Sequence, residues 1–167
     1  MLLPALRLIV IAAAMLAGGA GARASEKVDY AGSASVGTVV VQTSERSLYF
    51  VTGKGQALKY PVGVGRSGQQ WFGTTRIVSK HIKPAWKPPA SLRGNHSPSF
   101  YIESGSPRNP MGVAAMTLSG GEYAIHGTNM PGSVGGFVSY GCIRMLNDDI
   151  TDLYGRVSVG TQVVVTR

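Results

Sequence analysis

The chain has 167 residues, a formal net charge of +8 and a single cysteine, Cys142. That length supports one core of ordinary size, and a lone thiol excludes an intramolecular disulfide framework. The three histidines, His81, His96 and His126, are scattered and show no ligand spacing of a metal site.

Arg7 and the uncharged apolar run from Leu8 to Ala17 are followed by Gly18-Gly19 and by Ala22-Arg23-Ala24. This order of a positive flank, an apolar stretch and a small-x-small cut site predicts a signal peptide over residues 1–24 and a mature start at Ser25. The uncharged stretch falls short of the ~20 residues a spanning helix needs, so cleavage is favoured over a retained anchor. The expected location is outside the cytoplasm, in the periplasm or cell wall. An unpaired thiol in that oxidising setting is a liability unless its chemistry is used.

Residues 25–36 read as a flexible lead-in. Gly37 to Val41 and Leu48 to Val51 are short β-branched or aromatic runs about the turn-like Thr43-Ser44-Glu45-Arg46, and Ala57 to Val62 follows Gly53-Lys54-Gly55. Together they predict a three-strand meander. Arg76 to Ile82 predicts another strand, after which Pro84, Pro88 and Pro89 impose an irregular extended path. Val113 to Leu118 and Glu122 to Ile125 flank Ser119-Gly120-Gly121 as a hairpin, and the second strand delivers His126 at its end. Asn147 is placed to cap a helix over Asp148 to Arg156, and Gln162 to Val165 is a closing strand. The fold class is therefore mainly β, with one short helix after the cysteine.

Between Lys54 and Arg108 stand nine Lys or Arg and one acid, Glu103. Such a field suits an anionic polymer or serves solubility alone. Nucleic acid is not the expected partner, because export separates the two and no basic helix or aromatic-rich basic motif is present. Gly63-Val64-Gly65-Arg66-Ser67-Gly68 satisfies G-x-G-x-x-G, yet no helical period follows it and no acid stands about twenty residues on. Its glycines are read as turns, and no cofactor is expected. No acid lies between Glu45 and Glu103, so a glycosidase-like carboxylate pair is unsupported.

What survives is Cys142 in Ser139-Tyr140-Gly141-Cys142-Ile143-Arg144, sixteen positions after His126 in Tyr123-Ala124-Ile125-His126-Gly127. An ordinary thiol titrates near 8.5, so a nucleophilic cysteine needs a base that takes its proton and holds the thiolate as an ion pair. Gly141 lets backbone approach a reacting carbonyl, and the amides of Tyr140, Gly141 and Cys142 could supply an oxyanion hole. No acid lies between Glu122 and Cys142, so a backbone carbonyl beside Gly127 is the expected orienter of the imidazole. On spacing alone, a buried cysteine beside a core histidine stands equally with the nucleophilic reading.

His126-Gly127-Thr128-Asn129, Ser139-Tyr140-Gly141-Cys142-Ile143-Arg144-Met145 and Asn147-Asp148, with Tyr60-Pro61-Val62-Gly63-Val64-Gly65 and Asn109-Pro110-Met111-Gly112, resemble the signature of the YkuD-type L,D-transpeptidases. These are exported bacterial enzymes that remodel peptidoglycan. The resemblance spans residues 37–167 and implies a single β-sandwich-like catalytic domain, acting as a monomer. It implies Cys142 as nucleophile, His126 as base and then acid, and a glycine-rich active-site loop over residues 127–138. Ser139, Arg144 and Asn147 are the implied substrate-binding positions, with Arg144 either forking onto a stem carboxylate or bracing the loop. Tyr140 departs from the commonest pattern, in which histidine or arginine precedes the Gly-Cys pair. The implied reaction acylates the cysteine with a tetrapeptide stem, releases D-alanine and forms a 3,3 cross-link, and carbapenems are the implied covalent inhibitors. Hydrolysis by an L,D-carboxypeptidase, protein attachment and D-amino-acid exchange use the same chemistry. From another class, a non-catalytic peptidoglycan-binding module remains an alternative.

Overall fold

A computed structural model of the chain describes residues 25–89, 94, 95, 97, 99–120 and 123–167. The expected signal peptide, together with His96, Gly121 and Glu122, lies outside the described residues.

Strand β1 (Glu26–Asp29) is followed by β2 (Val39–Gln42), β3 (Ser47–Gly53) and β4 (Gln56–Pro61). The last three form the expected antiparallel meander, with Val39 opposite Phe50 and Phe50 opposite Leu58. Residues 25–36 are not a loose lead-in, because β1 pairs antiparallel with β4, Glu26 opposite Lys59. Val28 and Tyr30 then cover Val40, Tyr49, Val51 and Ala57 on the outer face of the meander. That contact removes apolar surface from water on a face a bare three-stranded sheet would leave wet. Its charged, four-residue edge also discourages further strand addition.

The short β5 (Val64–Gly65) leads to β6 (Gly73–Ile82), β7 (Ala114–Leu118), β8 (Ala124–His126), β9 (Phe137–Ser139), β10 (Ile143–Arg144), helix α1 (Asn147–Arg156) and β11 (Gln162–Thr166). β11 enters between β2, to which it is parallel, and the first half of β6, to which it is antiparallel. The second half of β6 pairs with β7 after a register shift between Ile77 and Ser79. A bulge of this kind bends a strand and lets it serve two sheets. The strand order β1-β4-β3-β2-β11-β6-β7-β8-β10 therefore folds over on itself. Val39, Val41, Leu48, Val163 and Val165 from one half meet Met116, Ile125, Ile143 and Met145 from the other, with Ile150 and Leu153 of α1 closing the core.

α1 begins after Leu146, and Asn147 makes no capping bond at this end. Asp148 and Asp149 still place negative charge in the first turn, where the macrodipole favours it. At the other end, Lys80 donates to the carbonyls of Tyr154 at 2.7 Å and Val157 at 2.5 Å. Asp152 accepts from the buried Tyr60 hydroxyl at 2.7 Å and pairs with Arg156. Together these bonds tie the helix to β4 and β6.

Asp149 is the exception on this helix, since it is 3% exposed and its Oδ2 has no hydrogen-bond partner among the described residues. Burial, then repulsion from Asp148 and Asp152, pushes its carboxyl up to about 6. A carboxyl raised in the folded state binds its proton more tightly there than in the unfolded chain. Its contribution is most favourable below the unfolded value of about 4 and is lost as pH rises through about 6. Asp149→Asn should therefore gain stability over the wild type by on the order of 2 kcal/mol at pH 7, and the gain should vanish by pH 4. Urea unfolding at both pH values checks this, and an equal difference at both would show that the carboxyl does not titrate in this range.

Candidate active site

Strands β8 and β10 lie side by side and parallel, with Ile125 opposite Ile143 and His126 opposite Arg144. In that pairing opposed side chains leave the sheet on the same side, and alternate residues share a face. Ile125 and Ile143 point into the core. His126 and Arg144 share the other face, and Cys142 is the residue immediately before β10. The two sequence segments carrying the candidate nucleophile and base are thus brought together by a two-residue register.

His126 is 4% exposed. Its Nδ1 lies 2.6 Å from the carbonyl of Gly127. A carbonyl only accepts, so Nδ1 carries the proton and Nε2 keeps the lone pair. The orienting role expected of a backbone carbonyl is thus filled geometrically, with the Pro110 carbonyl adding to it. Burial lowers the imidazole to about 4, those carbonyls oppose the shift, and the Arg144 charge deepens it. Cys142 is half-buried. Burial raises its thiol, while the Ala124 N–H and the Arg144 guanidinium pull it down. Burial thus acts on both groups toward their neutral forms, the direction opposite to the ion pair expected from the sequence.

The turn between β9 and β10 is held from inside. Ser139 is 1% exposed, and its hydroxyl donates to the Cys142 carbonyl at 2.6 Å while accepting the Gly141 N–H at 3.1 Å. Ser139 therefore braces the turn with a buried hydroxyl that is already engaged inside it. The Gly141 amide, one of the three expected oxyanion donors, is engaged by it. The amides of Tyr140 and Cys142 have no protein partner among the described residues. Gly141 adopts φ +121°, and a Cβ there would overlap the Tyr123 ring. Only glycine fits that position without strain.

Asn147 is likewise turned inward. Its Oδ1 accepts the N–H of Thr128 at 3.0 Å and of Val113 at 3.4 Å. A Cβ on either Gly112 or Gly127 would overlap that oxygen. Asn147 thus clamps the two segments whose carbonyls, Pro110 and Gly127, hold His126. This is its role in place of the helix cap expected of it.

Over residues 37–165 the chain matches the family model YkuD, the L,D-transpeptidase catalytic domain. The chain belongs to this family. It is 35% identical over 134 residues to the probable L,D-transpeptidase YbiS of Escherichia coli K12, covering 75% of this chain and 43% of that one. It therefore spans less than half the length of that relative. The fold superposes on L,D-transpeptidase 3 from Mycobacterium tuberculosis with a TM-score of 0.61 at 17% identity, covering 78% of this chain and 60% of that chain. The catalytic domain of the Enterococcus faecium L,D-transpeptidase, solved acylated by ertapenem, matches with a TM-score of 0.59 at 18% identity, covering 77% of this chain and 95% of that one.

Within this YkuD domain several residues take roles that the sequence did not assign to them. Gly63 exchanges both backbone hydrogen bonds with Arg144 at 2.8 Å. A Cβ on Gly63 would meet the Ser133 carbonyl at 2.8 Å, so this glycine is a close approach of chains and not a turn. Gly65 lies extended in β5, paired with β9, and of the three glycines only Gly68, at φ +76°, is in a turn conformation. Trp71 stacks on Tyr123 with ring centroids 5.1 Å apart and planes within 3°. Its indole N–H donates to the Gly141 carbonyl at 2.9 Å. Tyr140 is 44% exposed, and its ring lies 3.9 Å beneath the Arg66 guanidinium. The one legible cue was a large aromatic, Trp71, in a glycine-rich stretch.

The lowered imidazole gives a direct check. Followed by NMR, the ring C–H signals of His126 should keep the shifts of a neutral imidazole down to about pH 4, assigned by their absence in His126→Gln. A midpoint near 6.5, the ordinary histidine value, would mean that the ring is solvated or paired with an anion.

Proposed function

We propose that this protein is an exported L,D-transpeptidase that acts on peptidoglycan tetrapeptide stems through an acyl-enzyme on Cys142. The observation that carries the reading is the shared face of β8 and β10. It brings the strand that ends at His126, whose Nδ1 is held by a carbonyl, alongside the strand that follows Cys142, whose own amide has no protein partner among the described residues.

In this mechanism the Cys142 proton passes to Nε2 as Sγ attacks the carbonyl at the L-centre of the diamino acid. Transfer during attack suits a pair that burial drives toward neutral forms. The carbonyl oxygen takes up negative charge opposite the amides of Cys142 and Tyr140, where preorganised donors stabilise it. The C–N bond to D-alanine then breaks, and the leaving nitrogen takes the proton back from the imidazolium. An amine at the D-centre of a second stem attacks the thioester, restores the thiol and leaves a 3,3 cross-link.

Arg144 is assigned here to a stem carboxylate. Its Nε is buried and has no hydrogen-bond partner among the described residues. A guanidinium bracing the loop would spend its donors on backbone carbonyls, whereas a fork left open matches a planar carboxylate. Arg144→Lys keeps the charge and loses the fork. It should raise KM for stem peptides about tenfold or more, the equivalent of one charge-assisted hydrogen bond, while the thermal midpoint stays close to wild type. A parallel fall in stability would favour bracing.

The reaction itself is tested by incubating the mature protein with defined tetrapeptide muropeptides and weighing the products. Cross-linked dimers are expected, all turnover should vanish in Cys142→Ala, and His126→Ala should lose at least about 100-fold, the usual worth of a general base. Tripeptide without dimer would make the protein an L,D-carboxypeptidase. No reaction would leave a peptidoglycan-binding module. The acylated E. faecium domain supports a parallel expectation, a single carbapenem adduct on Cys142 by intact mass.

A further inference from the structure

Three consecutive peptide units surround the thiol, and each is tethered. The Gly141 N–H is held by Ser139 Oγ, the Cys142 carbonyl is held by the same hydroxyl, and the Gly141 carbonyl between them is held by Trp71 Nε1 at 2.9 Å. The Gly141 carbonyl and the Cys142 N–H belong to one planar trans unit and point in opposite directions. Fixing the carbonyl toward the indole therefore aims the Cys142 N–H away from it, on the side opposite Trp71.

The indole is itself fixed. It stacks on Tyr123, which directly precedes the strand bearing His126, and both rings pack against the main core. The Tyr123 ring fills the space where a Cβ on Gly141 would lie. A single stack thus registers the His126 strand against the Cys142 turn.

We propose that Trp71 is a positioning residue for acylation: through its hydrogen bond to the Gly141 carbonyl it aims the Cys142 amide at the oxyanion. The assignment rests on the cysteine acyl-enzyme reading above. Trp71 touches neither the thiol nor the imidazole by any hydrogen bond, so its effect belongs to the step in which negative charge develops on oxygen. It has no part in making the thiol reactive.

Two reagents separate these steps. Acylation by a carbapenem passes through an oxyanion, whereas alkylation by iodoacetamide is a displacement at a saturated carbon and needs only the thiolate. Trp71→Phe keeps a ring for the stack and loses the N–H. Replacement of Trp71 by 3-benzothienylalanine keeps the full shape and loses only the donor, which serves if the phenylalanine variant folds poorly. Removing a direct oxyanion donor slows reaction by about 10²–10³. Loss of its aiming bond should slow maximal acylation, read by intact mass, by about 10-fold to 100-fold, with the half-saturating carbapenem concentration and the alkylation rate unchanged. Unchanged acylation in both variants, or acylation and alkylation slowed equally, overturns the proposal and makes Trp71 a packing residue only. A wild type that is not acylated at Cys142 overturns the acyl-enzyme reading itself, a result that needs no Trp71 variant to see.

Discussion

Everything at the site follows from the parallel pairing of β8 with β10. The pairing is short, Ile125 with Ile143 and His126 with Arg144. Parallel strands need a long connection, and here residues 127–142 supply it. The isoleucines on one face are drawn into the core, and that burial sets the register of the opposite face. A slip by one residue would turn His126 and Arg144 inward and expose the isoleucines. Hydrophobic burial on one side of two strands is thus the force that places an imidazole and a guanidinium on the other.

The connection that makes this possible is stiffened by polar groups turned inward. Asn147 holds the chain just after Gly112 and Gly127, Ser139 fills the cysteine turn, and Trp71 fixes the Gly141–Cys142 peptide plane. Each bond lies in a region of low dielectric, where a satisfied polar group restrains and an unsatisfied one is expensive. The residues that look most like substrate ligands by type, a serine and an asparagine beside the nucleophile, are consumed in this bracing. Arg144 is left with a buried donor unanswered among the described residues, and it shares a face with His126.

The same dryness acts on the charge of both groups. Desolvation is the first cause of the shift on both His126 and Cys142 and drives each toward neutrality. Arg144 acts on the two in the same direction, disfavouring imidazolium and favouring thiolate. A neutral imidazole with its tautomer fixed by the Gly127 carbonyl is a base that is available over most of the pH range. No carboxylate is needed for that, because a carbonyl holds Nδ1–H without stabilising the charged ring as strongly as an anion would.

Local sequence was enough for the elements whose signals are local. The β-branched runs about Thr43 to Arg46 and Gly53 to Gly55 became β2, β3 and β4, and the hairpin ending at His126 lies where Ser119-Gly120 turns the chain. The thiol, the histidine and the glycine beside each were legible because motifs of reactive residues are read by type and spacing. Tertiary structure decided the rest. Residues 25–30 carry no strong strand pattern and become β1 because β4 offers an open edge and Tyr49 an apolar face to cover. Gly63 is extended because Arg144, far along the chain, needs its backbone close. Trp71, Tyr123 and Asn147 take their roles from partners scores of residues away or in another element, and a hydrogen bond between such positions leaves no periodicity in the sequence. Residue type determined which chemistry the chain can perform, while long-range packing determined which polar groups are free to perform it.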